Sequence, residues 1–271
     1  MLDLNPPAML VPAELVDHIF SYLRGERLAL EECSKAHPMF STLAEPYLYA
    51  DILIHNERAV SELYKQLSDN PHILAFPRTL EILDTDPPIL IPPSEPKVLS
   101  VMSMIPRMTN LVSLSLSDLW QWSESLDGFY YDFLSKFRTC LRESAIEELC
   151  LKDFHEFPFS ILDGGGGVKK LELYRCTAML EDEPVSATGS PHHSLETFII
   201  GFRHDPDILL WATHRATSLT NLELRGSLSN CTEFPELLKA CSNSLTRLHV
   251  HIGIQCMQYS SLFFLGFTYV S

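Results

Sequence analysis

Leu219-Thr220-Asn221-Leu222-Glu223-Leu224 sets three leucines in the spacing L-x-x-L-x-L, and the reading of this stretch decides the fold. The spacing returns as Leu111-x-x-Leu114-x-Leu116, Ile146-x-x-Leu149-x-Leu151, Val168-x-x-Leu171-x-Leu173, Leu195-x-x-Phe198-x-Ile200 and Leu245-x-x-Leu248-x-Val250. Alternation of apolar and variable residues over so short a run is the mark of a strand with one buried face. Leucine fills 43 of the 271 positions, as expected where one aliphatic residue occupies equivalent sites again and again. Between central positions the intervals are 35, 22, 27, 24 and 26 residues, after one of 34 from a weaker strand at Leu80-x-Ile82.

Each such core places alternate side chains in a shared interior, and the segment after it returns along the outside, so the strands stack into a parallel sheet. The x positions then face a common concave surface. Further upstream, Ile52-x-Ile54 reads as a strand, and Val60, Leu63, Tyr64 and Leu67 follow helical spacing until Asn70-Pro71 stops them. Phe129 to Glu143 and Phe234 to Cys241 are the best helices among the return segments. The later intervals lie within or near the 20 to 29 residues of a leucine-rich repeat, which residues 51–271 therefore resemble in an irregular form. The asparagine expected after each strand is missing, and Cys176 is the one fitting occupant of that ladder position.

The first fifty residues have a different texture. Pro12 suits a first helical position, and beyond it Leu15, Ile19 and Leu23 recur on one stripe with Val16 and Phe20 beside them. Gly25 breaks this helix, Leu28 to Lys35 forms a second, and Pro38 opens a third. About forty residues rarely bury so much apolar surface unaided, so part of the stripe packs on the rest of the chain or on a partner.

The run Val11-Pro12-Ala13-Glu14-Leu15 through Ile19-Phe20-Ser21-Tyr22-Leu23 to Leu30, Cys33-Ser34 and Phe40 resembles an F-box. That pattern begins Leu-Pro-x-Glu and closes with a Cys-containing helix and a Trp; here Val11 and Phe40 depart from it while staying hydrophobic. The resemblance covers residues 8–50. It implies a helical module that binds a Skp-family adaptor and through it joins a cullin-RING ubiquitin ligase. The contacts it implies are Pro12, Leu15, Ile19, Leu23 and Leu30, with Phe40 supporting the fold. An F-box followed by loose repeats is similar to a class of substrate adaptors common in fungi, in which the repeats hold a protein substrate and the chain catalyses nothing. The expected fold class is thus α/β, a small helical head before a leucine-rich-repeat-like solenoid. The alternative is a non-catalytic repeat scaffold whose head packs internally and ignores Skp.

Composition narrows the partners. Lysine and arginine total 20 against 35 acids, a net charge of −15, which repels phosphate backbones and anionic headgroups; no nucleic-acid or membrane partner is expected. Seven scattered cysteines without a C-x-x-C pair read as buried thiols in a reducing compartment, the cytoplasm or nucleus. The opening residues carry an acid and two prolines where a signal peptide needs a basic and then an apolar stretch, so Asn230-Cys231-Thr232 is not expected to carry a glycan. Ile252 to Val270 lacks any charge at near-membrane length, yet its glutamines, serines and aromatics suit a strand better than a tail anchor. As the last apolar layer it is expected to leave Leu262, Phe263, Phe264 and Phe267 folded over the final repeat or exposed.

The remaining constellations carry little chemistry. Asp163 to Lys170 holds four glycines but lacks the spacing of a phosphate loop, and reads as a flexible connection. His192 and His193, with His204 and His214, read as loop histidines rather than metal ligands. Glu181-Asp182-Glu183 is a solvated acidic edge, and the prolines from Asp86 to Pro96 make an extended inter-repeat loop. No hydrolase motif and no cofactor signature is present. Trp120 and Trp122 follow a strand at the sheet's edge and are the weak candidates for substrate contact.

Overall fold

The computed structural model describes residues 11–83, 97–117, 127–164, 167–179, 195–201, 205–226, 233–255 and 262–270. Three helices come first: α1 (Ala13–Tyr22), α2 (Arg27–Ala36) and α3 (Pro38–Leu48). Pro12 precedes α1, where a missing N–H costs nothing, and the His37 ring accepts the N–H of Met39 to cap α3. Gly25 turns the chain between α1 and α2 at φ +95°, the left-handed region where a side chain is penalised. The three helices enclose a small core of Val16, Phe20, Leu30 and Ala44.

Strands and helices then alternate: β1 (Asp51–Ile54), α4 (Glu57–Asp69), β2 (Thr79–Leu83), α5 (Lys97–Met102), β3 (Ser113–Ser117), α6 (Asp127–Glu143), β4 (Glu148–Lys152) and β5 (Lys170–Tyr174). They continue as β6 (Thr197–Gly201), α7 (Pro206–Thr213), β7 (Asn221–Gly226), α8 (Phe234–Cys241), β8 (Arg247–Gln255) and β9 (Leu262–Val270). The strands form one sheet in chain order, and β1 to β8 are all parallel. Ile52, Leu80, Leu114, Leu149, Leu171, Phe198 and Leu222 align across it in one buried row, and Ile54 to Leu224 in a second. Each buried leucine of these rows contributes about 1.5–3 kcal/mol by leaving water.

The repeat is also written in the main chain. Two residues before each central apolar residue, one carbonyl accepts two successive N–H groups of the next strand: Ala50 from Arg78 and Thr79, Arg78 from Val112 and Ser113, and so on through Val112, Glu147, Lys169, Glu196 and Thr220. Hydroxyls reinforce the later joints. Ser218 donates to the Leu195 carbonyl at 3.1 Å and Ser244 to that of Leu219 at 2.8 Å, while Thr220 and Thr246 donate to Glu196 and Thr220. Asn110 reaches the Ala75 carbonyl from the corresponding place. At that place in the shortest interval stands Gly167, where a Cβ would lie 3.2 Å from the Ile146 carbonyl. The anticipated ladder after the strands thus has a counterpart before them. Cys176 does act as the rung proposed for it, its thiol donating to the Leu151 carbonyl at 3.4 Å.

Interval length follows the return segment. The interval of 35 holds α6, whose Phe133 and Phe137 stack at 5.7 Å and meet Phe154 and Phe157 below. That of 22 holds, among the described residues, the tight helical turn Phe159–Gly164 and no α-helix; such a turn spans more length per residue than an α-helix.

One expectation needs correction, and two elements, α7 and β9, add to the reading. Helix α7 was not anticipated, although Asp205 accepting the Asp207 N–H ahead of Pro206 is an N-cap followed by proline at N1. Leu248 was expected to be buried like its equivalents but is only partly covered; its strand has a parallel neighbour on one side and an antiparallel one on the other. The segment after it does not continue the parallel series. It returns as β9, antiparallel to β8 along nine register pairs from Arg247↔Val270 to Gln255↔Leu262.

Candidate functional site

Two surfaces bring together side chains that packing does not consume. The first is the outer row of α1. Val16 and Phe20 point into the head, where Phe20 meets the edges of Phe40 at 5.9 Å and Tyr47 at 6.4 Å. One position back on the same helix, Leu15 and Ile19 stay 50% and 47% exposed. The Tyr47 hydroxyl donates to Asp17 Oδ1 at 2.9 Å and fixes α1 on α3, so this row is held in place. Of the residues expected there, Pro12 is exposed and Leu23 half-buried. Phe40 is half-buried against Phe20, in the supporting place expected of it. Leu30 does not join the row: at 1% exposure it fills the centre of the head, because the second helix turns that side inward.

The head is clamped to the sheet. Only Tyr49 and Ala50 separate α3 from β1, and Tyr49 packs on the larger core. Arg24 donates to both Asp51 oxygens at 3.3 Å, Thr79 donates to Asp51 Oδ1 at 2.8 Å, and the His72 ring lies 3.1 Å from Glu45. Partial burial works against the Asp51 charge, but the bonds from Arg24 and Thr79 outweigh it and hold the carboxyl below its ordinary range.

The second surface is the sheet face turned away from the core, built from the x positions. On β2 to β4, Glu81 accepts from Lys152 at 3.1 Å and Ser115 at 3.4 Å. Burial opposes the charge of Lys152, yet Glu81 outweighs it and raises the ammonium pKa. From β4 to β8 a longer chain of contacts runs Glu148, Lys170, Glu172, Tyr174, Arg225, Glu223, His251. Burial pushes the Glu172 carboxyl up, but Lys170 at 2.8 Å and the Tyr174 hydroxyl at 2.9 Å more than reverse this. Arg225 lies over the Tyr174 ring, 5.7 Å from its centre.

These face residues were not singled out from the sequence, although the L-x-L register names them: each is the residue just before, between or just after the buried pair. Trp120 and Trp122 lie outside the described residues, as do His192, His193, His204, the acidic run from Glu181 and the stretch 84–96. His214 is exposed at the end of α7. Among the described residues no cluster of His, Cys, Asp and Glu is arranged to hold a metal. Nor is any described helix long and apolar enough to cross a membrane; Ile252 onward continues β8 and then forms β9. Compared with protein-family models, curated proteins and solved structures, the chain matches none.

Proposed function

We propose that the chain is the substrate-recruiting adaptor of a Skp-cullin-F-box type ubiquitin ligase, working in the cytoplasm or nucleus. In this reading the three-helix head is an F-box-like module that binds a Skp-family protein, and residues 51–271 form a leucine-rich-repeat-like solenoid that holds a protein substrate. The chain acts by binding alone. One observation carries the reading: α1 gives Val16 and Phe20 to the head's core, and the adjacent row of Leu15 and Ile19 remains apolar and half-exposed on a fixed helix. Such a row has no role in the fold and matches the positions that the F-box resemblance assigns to Skp.

The test is co-elution of the full chain with a recombinant Skp-family protein. Leu15→Asp and Ile19→Asp should each abolish it, since an unpaired charge in a docked apolar interface is costly. Retained association by both variants would refute the assignment.

A further inference from the structure

On β5 to β8 the open face reverses the sign of the protein as a whole. The chain carries −15, yet the carboxylates here are more covered than the bases beside them, with Glu172 21% and Glu223 16% exposed. The basic groups stand further out: Lys170 at 36%, His251 at 38% and Arg225 at 41%. Both carboxylates are already engaged, Glu172 by Lys170 and Tyr174, Glu223 by Arg225 and His251. Arg225 uses Nε on Glu223 and Nη1 on Tyr174, and its Nη2 has no partner among the described residues. Arg247, exposed at the start of β8, has no carboxylate partner among them either.

We infer that this corner of the sheet, built on Arg225 and Arg247, docks an acidic segment of a partner protein. The inference rests on the reading of the repeats as the substrate-holding half of an adaptor, and it names the chemistry of that substrate. Arg225 stands in register with His251, and Asn221 with Arg247. The two arginines are therefore four residues apart along adjacent strands, about 13 Å at ~3.3 Å per residue. An extended segment running along β7 and β8 with carboxylates four positions apart meets both guanidiniums. Glu223 and the Tyr174 ring hold Arg225 in advance, so little side-chain freedom is lost on docking. A polyphosphate strand is disfavoured, because many charges in a row meet the repulsion of the whole chain, whereas a few carboxylates act within a screening length of about 8 Å.

The probe is a short fluorescent Gly-Ser peptide with glutamate at every fourth position, titrated into the full chain at low salt. Binding is expected, weakened by added salt and reduced about tenfold by Arg225→Glu and by Arg247→Glu, but not by Arg138→Glu on the exposed side of α6. The matching glutamine and lysine peptides should not bind. Equal binding of all three peptides, no effect of either β7–β8 variant, or tighter binding of a single-stranded RNA oligomer overturns the proposal. Skp association is measured on the same proteins. If the chain binds the glutamate peptide but no Skp, the acidic-segment site stands and the adaptor reading falls. If it binds Skp but no glutamate peptide at about 1 mM, this proposal falls alone.

Discussion

The Tyr174 ring lies directly on Gly201 of the neighbouring strand, so close that a Cβ at that glycine would sit 2.5 Å from its Cδ1. The ring can lie flat there, with its hydroxyl between Glu172 and Arg225, only because the position has no side chain. Gly201→Ala should displace the ring and cost about 1–3 kcal/mol in urea unfolding, as overpacking does. In the Tyr174→Ala background the same change should cost far less. Equal costs in the two backgrounds would refute the contact as the cause.

Within α1, neighbouring apolar residues should behave oppositely. Phe20→Ala removes a core side chain and should destabilise the head by about 3–5 kcal/mol. Ile19→Ala, one position away and half-exposed, should change stability by no more than about 0.5–1 kcal/mol. Hydrogen exchange of α1 to α3 reads both.

The hydroxyl rungs before the strands should be worth about 0.5–1.5 kcal/mol each. Ser244→Ala and Ser218→Ala test this by denaturant unfolding, and their effects should add, since the two bonds join different pairs of repeats.

Acid should loosen the clamp and the open face together. Asp51 and Glu172 are both held below their ordinary pKa in the folded chain, so unfolding takes up protons in acid. Their stabilisation is complete above about pH 5 and is lost as pH falls through about 4 and below. Melting temperatures from pH 7 to pH 3 should drop less steeply for the Asp51→Asn, Glu172→Gln double variant than for the parent; parallel curves would contradict the shifts.

Thiol chemistry offers a separate check on the core. Burial pushes Cys140 and Cys176 up to about 12, leaving almost no thiolate at neutral pH. Maleimide mapping by mass spectrometry should leave both unlabelled in the native chain and label both in urea.

The parallel sheet was legible because its signal is local and repeated: seven of the eight central residues from Ile52 to Leu248 take the buried place that the spacing assigns, and the eighth is partly covered. Helix α8 was found with the bounds Phe234–Cys241 because Pro235 and the apolar spacing agree. What escaped depended on long-range company. Whether Leu30 or Leu15 faces inward is set by how α2 and α3 close on α1, which one helix's periodicity does not contain. The pairing of Arg225 with Tyr174, 51 positions earlier, depends on two strands lying on either side of Gly201.

The carbonyl that takes two hydrogen bonds at the start of each strand does so whatever its own side chain is. Along the chain that place is held by Ala50, Arg78, Val112, Glu147, Lys169, Glu196 and Thr220, which between them are small, branched, acidic, basic and hydroxylic. Arg78, Val112, Glu196 and Thr220 are also exposed. Because the joint between repeats is made by backbone, the exposed side chains of Arg78, Val112 and Glu196 in this column are not needed for it. They mark a line along which the protein can drift in sequence and acquire new contacts, one residue at a time, without loosening the stack that displays them.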